Sequence, residues 1–414
     1  MTSATGCWSL FEAIGIEIEY MVVDEETLDV LPVVDRILAG EAGTIVSELE
    51  RGELAWSNEL VLHVVELKTN GPATDLAPLP ALFREHVHRV DELARALGGR
   101  LMPTAMHPWM DPERETVLWP HEHSPVYEAY DRIFGCRGHG WSNLQSIHLN
   151  LPFAGDEEFG RLHAGIRLVL PLIPALAASS PIWEGRFHGA LDSRMTFYRT
   201  NSAGIPQVAG QVVPEPVFTR DAYQQQILLP MFDAIAPHDP GGVLREEFLN
   251  SRGAIPRFDR GSIEIRVVDT QEHPEADLAI AAAVCATLRM LASERWARLE
   301  EQQAIPVAPL AELLLATSRD GEAARVEVPA LLRALGRPTD PVPAGELWRA
   351  VLEDASRTGT LDRSWEASLQ TILDHGTLAR RILAATGPEP ARNGLIDVYR
   401  ELCDCLLAGR AFLP

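Results

Sequence analysis

The sequence contains no apolar run near the ~20 residues that a helix needs to cross a bilayer, and it is poor in basic side chains. Its 414 residues include 36 Lys and Arg against 59 Asp and Glu, so the formal net charge is −23. A chain this acidic argues against nucleic acid as a partner. The N-terminal residues also lack the basic start and apolar stretch of a signal peptide. We therefore expect a cytoplasmic protein with no membrane partner.

Cysteine is also scarce, and its spacing excludes the usual cysteine-based architectures. The number is odd, and the spacing fits neither a zinc site nor a disulfide framework. Two of the cysteines are separated by a single residue in a helical context, which disfavours a mutual disulfide. We expect reduced thiols that mostly pack in the interior. The five residues are Cys7, Cys136, Cys285, Cys403 and Cys405.

The composition is that of a globular chain with a sizeable core. Hydrophobic residues make up 46% of the sequence and charged residues 23%, which suits one large or two ordinary domains. Alternating strand patterns are concentrated before residue 270, whereas helical periodicity dominates from about residue 306. We therefore expect residues 1–300 to form the domain that carries the chemistry. Residues 301–414 are expected to form a helical region packed on the same domain.

The stretch GIEIEYMVVD, residues 15–24, places two carboxylates on one face of a predicted strand. Glu17 and Glu19 would lie about 7 Å apart at the usual strand rise. At an effective dielectric near 20, such a pair repels by roughly 2 kcal/mol. Water screens this repulsion on an exposed face, whereas in a pocket a positive group must offset it. The pair therefore indicates either a solvated sheet face or a cation site.

Two further alternating strands also carry polar residues on one face. The strand SIHLNL places Ser146, His148 and Asn150 together, and SIEIRVVD places Glu264 beside Arg266. Their other faces are apolar and would pack on helices. If these strands belong to one antiparallel sheet, the polar faces line a shared cavity. The simpler alternative is the wet face that antiparallel sheets commonly have.

The segment NELVLHVVEL adds two more carboxylates, Glu59 and Glu66. They are seven residues apart, and an odd spacing places them on opposite faces of a straight strand. Both can enter one site only if a bulge or turn intervenes, or if Glu59 lies before the strand proper. The sequence alone leaves this open.

Several carboxylates with one imidazole and no cysteine suit hard divalent ions such as Mg²⁺ or Mn²⁺. More than one ion would be needed to balance so many acids. Mg²⁺ commonly shares its coordination shell between carboxylates and substrate phosphates. Arg266, two residues from Glu264 on the same face, could contact a transferring phosphoryl group. A nucleotide and metal ions would then explain why the carboxylates are tolerated together.

These segments together resemble the glutamate–cysteine ligase type 2 family, the carboxylate–amine ligases of the glutamine synthetase-like superfamily. The resemblance extends over about residues 14–270, with the motifs in family order, and the C-terminal third is similar only as a helical scaffold. In the family's histidine-rich strand two histidines alternate, but Ser146 replaces the earlier one here. The motifs are GIEIEYMVVD, NELVLHVVELKTNGP, TAMHPW, SIHLNL, ALAASSPIWEGRFHGALDSRMTFYRT and GSIEIRVVD.

The resemblance implies an α+β fold with a curved antiparallel sheet flanked by helices, and ATP and substrate in the funnel that the sheet forms. It implies that residues 1–300 are a ligase domain that joins a carboxylate to an amine through an acyl phosphate, with glutamate as the expected carboxylate. The expected partners are small-molecule carboxylates and amines such as amino acids, with ATP and Mg²⁺ or Mn²⁺ as cofactors. A homodimer is compatible with the sequence.

Carried over by motif, the resemblance also assigns residue roles. Arg266 would steady the phosphoryl group as a catalytic residue, together with Glu17. Arg257, Arg260 and Asn150 would meet the nucleotide. Any of Arg199, Arg194 and Arg186 could pair with a substrate carboxylate, with Arg199 as the first choice. The implied metal ligands are Glu17, Glu19, Glu59, Glu66, His148 and Glu264.

Three alternatives remain open at this point. A ligase of a specialised pathway could amidate another carboxylate or a peptide, since Ser146 and TAMHPW depart from the usual family pattern. A metal-independent hydrolase with paired carboxylates explains two glutamates but not six. A catalytically silent family member would bind nucleotide without turnover.

Overall fold

The structure, a computed structural model, describes residues 8–414, so Cys7 lies outside the described residues. Its centre is an antiparallel sheet of eight strands. Two short two-stranded sheets lie outside it, one pairing Ile182–Trp183 with Arg186–Phe187 and the other pairing Arg325–Val326 with Val342–Pro343. The strands are β1 (Gly15–Asp24), β2 (Glu48–Arg51), β3 (Leu54–Asn58), β4 (Val64–Thr69), β5 (Gly99–Met102), β6 (Ser146–Pro152), β7 (Ile182–Trp183), β8 (Arg186–Phe187), β9 (Ala254–Arg257), β10 (Ser262–Asp269), β11 (Arg325–Val326) and β12 (Val342–Pro343).

The strand order β2-β3-β4-β1-β6-β10-β9 places β1 in the middle of the sheet. Along one edge β1 pairs first with β6, from Gly15 to Ile18, and then with β5, from Met21 to Asp24. Where β1 changes partner, the backbone carbonyl of Glu19 accepts a hydrogen bond from the Thr270 hydroxyl at 3.3 Å. The change of partner therefore opens the sheet beside Glu19.

The two faces of β1 have different surroundings because side chains alternate along a strand. Ile16, Ile18 and Tyr20 are fully buried in the main apolar core. Glu17 and Glu19 point to the other face. Burial of the apolar side chains on one face therefore fixes which side of the sheet the carboxylates occupy.

Helices cover the apolar face and make up most of the chain after residue 270. Helix α11 begins with Pro274 at its first position and has Glu275 and Asp277 in its first turn, a sequence that favours a helix start. The helices are α1 (Val34–Ala42), α2 (Leu79–Arg95), α3 (Pro112–Glu115), α4 (Ser124–Phe134), α5 (His139–Ser142), α6 (Gly155–Val169), α7 (Pro174–Ala177), α8 (Ser193–Tyr198), α9 (Arg220–Tyr223), α10 (Leu229–Ile235), α11 (Pro274–Ala292), α12 (Leu299–Gln303), α13 (Val307–Asp320), α14 (Pro329–Ala334), α15 (Ala344–Arg357), α16 (Glu366–His375), α17 (Leu378–Thr386) and α18 (Arg392–Ala408).

The helices after residue 300 share the apolar core with the sheet. Leu310 and Trp348 belong to the same buried cluster as Ile16. A buried ion pair joins Arg381 of α17 to Glu272, and Arg381 also donates to the carbonyl of Phe412 at 2.8 Å. These contacts are those expected if residues 301–414 pack on the domain that contains the sheet.

The architecture confirms the expected α+β class, a large antiparallel sheet flanked by helices. The segment NELVLHVVEL is not a single strand, which is one of the arrangements left open by the spacing of Glu59 and Glu66. It contains the end of β3, a connection and the start of β4. Cys136, Cys285, Cys403 and Cys405 are free thiols and buried, as expected. Among the described residues, no helix is both long and apolar enough to cross a membrane.

Candidate active site

The register of the strands brings the predicted acidic residues together on one face of the sheet. Across β1 and β4, Glu19 lies opposite Glu66. Across β1 and β6, Glu17 lies opposite His148. Glu264 of β10 lies opposite Asn150, the next residue on this face of β6. The carboxylates therefore form a row across neighbouring strands.

Hydrogen bonds join the two glutamates of β1 through β6. His148 Nδ1 is 2.9 Å from Glu17 Oε2, and His148 Nε2 is 2.9 Å from the Ser146 hydroxyl. The Ser146 backbone N–H donates to Glu19 Oε2 at 2.7 Å. Asn150 donates its side-chain amide to Glu17 Oε1 at 3.0 Å. Ser146 thus occupies a position between His148 and Glu19.

The structure resolves the question that the spacing of Glu59 and Glu66 left open. Glu59 directly follows β3 and lies in the connection to β4, whereas Glu66 lies within β4. The odd spacing is therefore irrelevant, because the two residues do not share a strand. Both reach the same cluster, in which Glu19, Glu59 and Glu66 each offer a carboxylate oxygen within 4.8 Å of the others.

A second group of ligand atoms uses Glu17, Glu66 and His148, which also lie within 4.8 Å of one another. Glu66 belongs to both groups. Each group combines carboxylate oxygens with at most one imidazole, a donor set that suits Mg²⁺ or Mn²⁺ better than softer metals. The residues therefore fit two neighbouring divalent ions that share one carboxylate. Glu264 approaches His148 Nδ1 to 3.9 Å and completes the expected ligand set at one end.

The pKa shifts of the clustered glutamates show that the cluster favours positive charge nearby. Burial raises the pKa of Glu17, but the hydrogen bond and positive charge of His148 outweigh burial and lower this pKa to about 2. Burial and the nearby Glu17 raise the pKa of Glu66 to about 7. Burial and the charge of Glu19 raise the pKa of Glu59 well above its ordinary value. Some of these carboxyl groups therefore hold protons until cations replace them.

Arginine side chains lie next to this cluster. Arg266 is on a bulge of β10, and its Nε is 2.9 Å from Glu264 Oε1, although the atoms are not aligned as a hydrogen bond. Arg257 lies at the other oxygen of Glu264, at 3.9 Å. Arg260 is 60% exposed and approaches Asp259 at 3.8 Å. The structure therefore brings Arg257 and Arg266 to the cluster but not Arg260.

A cavity of about 500 Å³ opens over the acidic row, within the usual range for a small-molecule site. Glu19, Glu59, His148 and Arg266 are among the residues that line it, so it borders part of the row. Arg194 also lines the cavity and is almost fully buried. The catalytic face of the sheet expected from the sequence is thus adjacent to space for a ligand.

The three expected substrate arginines do not lie together. Arg199, the first choice from the sequence, is exposed and lines a different cavity of about 520 Å³ that shares no residue with the cavity over the carboxylates. Arg186 is exposed in β8, with its Nε 3.4 Å from His188 Nε2. Only Arg194 is placed beside the carboxylates, and the substrate role of Arg199 stays a prediction. The two differ in placement because Arg194 lies on the buried side of α8, whereas Arg199 follows its last turn.

Sequence reasoning missed polar groups that contact the cluster. The Ser57 hydroxyl donates to Glu66 Oε1 at 2.6 Å, and Lys68 Nζ lies 3.1 Å from the same oxygen. Asn58 donates to the Tyr127 hydroxyl at 3.0 Å, and Tyr127 lines the cavity next to Glu59. Ser57 and Lys68 could have been found by alternation, since they lie on the same face as Glu66. Nothing in the sequence pattern indicates Tyr127.

The site combines a row of carboxylates on an antiparallel sheet, two neighbouring groups of potential metal ligands and a cavity lined by arginines. In an α+β fold, this combination defines a candidate enzyme site. The model of glutamate–cysteine ligase family 2 matches residues 13–401. The chain therefore belongs to this family.

Individual relatives are similar over most of this chain. A protein of Archaeoglobus fulgidus with no assigned function is 33% identical over 402 residues, which cover 97% of this chain and 100% of that protein. A Rubrobacter xylanophilus protein with a provisional glutamate–cysteine ligase 2 name is 28% identical over 284 residues, 68% of this chain and 70% of that protein.

A solved structure is similar in fold. The crystal structure of glutamate–cysteine ligase from Francisella tularensis in complex with AMP superposes with a TM-score of 0.63. The alignment covers 97% of this chain and 90% of that chain, at 12% sequence identity. At this identity the similarity concerns the fold.

Proposed function

We propose that the protein is an ATP-dependent carboxylate–amine ligase that forms an amide bond through an acyl phosphate. The observation that carries the proposal is the pair of ligand groups sharing Glu66, next to Arg266 and a cavity. Membership of the glutamate–cysteine ligase family supports the same reaction class. A hydrolase with two paired carboxylates would need neither the further acids nor the arginines.

The chemistry requires a leaving group on the carboxylate, since a carboxylate is a poor electrophile. One of its oxygens attacks the γ-phosphorus of ATP, the bond to ADP breaks, and an acyl phosphate forms. The amine nitrogen then attacks the acyl carbon and phosphate leaves with the proton that the amine loses. This reaction needs mainly positioning and charge neutralisation from the protein.

Each part of the site has an expected task in this reaction. Glu17, His148 and Glu264 would hold one divalent ion, and Glu19 and Glu59 a second, with Glu66 shared by both. Such ions supply positive charge to the phosphate oxygens. Arg266 would stabilise the negative charge that develops on the transferring phosphoryl group. Arg257 and Asn150, at the Glu264 end of the row, would contact the nucleotide.

The proposed carboxylate substrate is glutamate, joined through its side-chain carboxyl group to give a γ-glutamyl amide. The provisional name of the Rubrobacter xylanophilus relative supports this choice. A ligase that amidates a different carboxylate needs the same groups around the transferring phosphoryl group. A panel of carboxylate substrates therefore distinguishes glutamate from another carboxylate.

The test is ADP release by the purified protein with Mg²⁺, ATP and a panel of carboxylates crossed with a panel of amines. Product mass identifies the amide. The expected result is ADP release that needs both a carboxylate and an amine and is lost in the Glu17→Gln variant. Nucleotide binding without turnover across the whole panel would instead support a silent family member.

A further inference from the structure

The cavity over the carboxylates is lined by charged and by apolar side chains. Half of its lining residues are aromatic or aliphatic. Several keep part of their surface uncovered, which is typical of a pocket that binds an apolar part of a ligand. We call these residues the apolar wall. They are Leu60, Val126, Tyr127, Trp141, Leu144 and Phe248.

The Trp141 side chain of the apolar wall is held in place by its neighbours. The Trp141 indole N–H donates to the carbonyl of Asn201 at 3.2 Å, and its ring stacks on Phe134 with centroids 5.6 Å apart. Tyr130 packs against Trp141 at 5.3 Å and donates its hydroxyl to the carbonyl of Phe248 at 3.3 Å. A wall that is already ordered loses little conformational entropy when a ligand binds.

Arg194 provides a charged partner for a ligand in the same cavity. Its Nε donates to Asp269 Oδ1 at 2.6 Å, and its Nη1 donates to the carbonyl of Arg266 at 3.2 Å. Its Nη2 is buried and has no hydrogen-bond partner among the described residues. Nη2 itself has almost no accessible surface, so a ligand carboxylate would meet Arg194 through the surface that lines the cavity.

We propose that the amine substrate is an α-amino acid with an aromatic or large aliphatic side chain. The side chain lies on the apolar wall, and the carboxylate binds Arg194. The amino group then faces the acidic residues that line the cavity, Glu19 and Glu59. This inference rests on the proposed ligase function and specifies its second substrate.

The adenine ring is the competing occupant of an aromatic wall. In ATP, however, the ribose and two phosphates separate adenine from the γ-phosphorus. The apolar wall begins directly at the carboxylates, because Tyr127 hydrogen-bonds to Asn58, the neighbour of Glu59. A group on this wall is therefore close to the acyl-transfer position, which suits the amine substrate better than adenine.

The experiment measures ADP release and amide mass with phenylalanine, leucine, cysteine, glycine and phenethylamine as amines, each across the carboxylate panel. We expect kcat/KM at least tenfold higher for phenylalanine or leucine than for cysteine or glycine, since each buried methylene contributes to discrimination. Phenethylamine, which lacks the carboxylate, should also be at least tenfold poorer than phenylalanine. Equal or better use of cysteine or glycine overturns the inference while the ligase function stands.

Variants test whether the amine substrate or ATP contacts the apolar wall. Trp141→Ala should raise KM for phenylalanine at least tenfold and leave KM for ATP within twofold. Trp183→Ala, which alters a half-buried tryptophan that is not among the cavity-lining residues, is the matched control. A rise in KM for ATP instead assigns the apolar wall to adenine and overturns the inference.

Arg194→Gln should lower kcat/KM for phenylalanine but not for phenethylamine. Since Arg194→Gln leaves Asp269 without its partner, Arg194→Lys is tested beside it and should restore folding with weaker phenylalanine binding. An equal loss of kcat/KM for phenylalanine and phenethylamine in a folded variant excludes a contact between Arg194 and the substrate carboxylate.

Calorimetric titration of the protein with phenylalanine, in the presence of Mg²⁺ and a non-hydrolysable ATP analogue, separates this inference from the ligase proposal. Phenylalanine binding that Trp141→Ala abolishes, without any ADP release, supports the binding site and contradicts the ligase. Absence of both binding and turnover contradicts both.

Discussion

His148 Nδ1 lies 2.9 Å from Glu17 Oε2 across neighbouring strands of the central sheet. The contact connects two residues separated by 131 positions in the chain, and it lowers the pKa of Glu17 despite the burial of its carboxyl group. Glu17 therefore stays ionised over the whole physiological range. His148, whose pKa the surrounding glutamates raise to about 9, must lose its proton before it can bind a metal, so a divalent ion would replace that proton beside the ionised Glu17.

Replacing Glu17 tests the acidic row most directly. Glu17→Gln keeps the shape of the side chain but removes its charge, so we expect ATP turnover to fall at least a hundredfold while the fold is retained. Turnover is measured by ADP release and folding by circular dichroism. Glu50→Gln, an exposed glutamate on β2 of the same sheet, is the matched control and should retain full activity. Unchanged turnover in Glu17→Gln would remove Glu17 from the site.

Arg266 is predicted to act on the transition state. Arg266→Ala should lower kcat by about a hundredfold or more, with little change in ATP affinity, because its positive charge matters most when phosphoryl charge develops. Steady-state kinetics and direct nucleotide binding separate the two effects. Arg266→Lys, which retains the charge, should recover part of kcat. A loss of ATP affinity equal to the loss of kcat would contradict a transition-state role.

The ligand set predicts the metal preference. Mn²⁺ should replace Mg²⁺ at least in part, because both prefer oxygen ligands, and EDTA should abolish activity. Glu66→Gln should raise the half-saturating Mg²⁺ concentration more than Glu264→Gln does, since Glu66 belongs to both ligand groups. Activity with Zn²⁺ alone would show that the ligand set has been misread.

Stability should depend on pH through His107, which braces the loop after β5. Its Nε2 lies 2.8 Å from the carbonyl of Leu28, but burial outweighs this hydrogen bond and lowers the pKa of His107 to about 3. Since the ordinary pKa of histidine is about 6.5, the unfolded chain binds a proton before the folded protein does. The stability associated with neutral His107 is therefore complete above pH 6.5 and is lost as the pH falls towards 3.

Urea unfolding at several pH values measures this dependence. Other buried histidines contribute in the same direction, since burial also lowers the pKa of His63 to about 4. The His107→Gln variant should therefore show a shallower, but not flat, loss of stability between pH 6.5 and 4. His88→Gln, which changes an exposed histidine of α2, is the control. An identical slope in His107→Gln and the unaltered protein would contradict the prediction.

The buried pair of Arg381 and Glu272 is predicted to hold the C-terminal helices on the sheet-bearing domain. Arg381→Leu leaves Glu272 buried without its partner and should cost about 3–5 kcal/mol of the free energy of unfolding. Arg319→Ala, which breaks an exposed pair with Asp320, should have a small effect. Chemical denaturation compares the two variants. A single cooperative transition in the unaltered protein is expected if residues 301–414 fold with the rest.

Much of the fold was predictable because alternation leaves a strong signal in β1, β6 and β10. The same alternation predicted that Glu17, Glu19, His148 and Glu264 share a face, and the register confirms that they come together. Their role as metal ligands stays a prediction, as do the cytoplasmic location and the homodimer. Size-exclusion chromatography with light scattering would test the homodimer.

The remaining features depend on geometry that a strand pattern does not encode. Glu59 enters the cluster because the chain turns after β3, and the letters NELVLHVVEL contain no glycine or proline to mark that turn. Arg194 and Arg199 differ by five positions, yet one is buried beside the carboxylates and the other is exposed. Which side of a short helix is buried depends on its neighbours, so sequence similarity alone could not tell which of the two arginines lies beside the carboxylates.

The alternation of β1 also limits how this region can change in evolution. Ile16 and Ile18 belong to the core while Glu17 and Glu19 belong to the carboxylate cluster, so one short segment serves both. Inserting or deleting a single residue before Glu17 would turn the isoleucines towards the carboxylate cluster and the carboxylates towards the apolar core. Length in this strand is therefore constrained more tightly than the identity of most of its side chains.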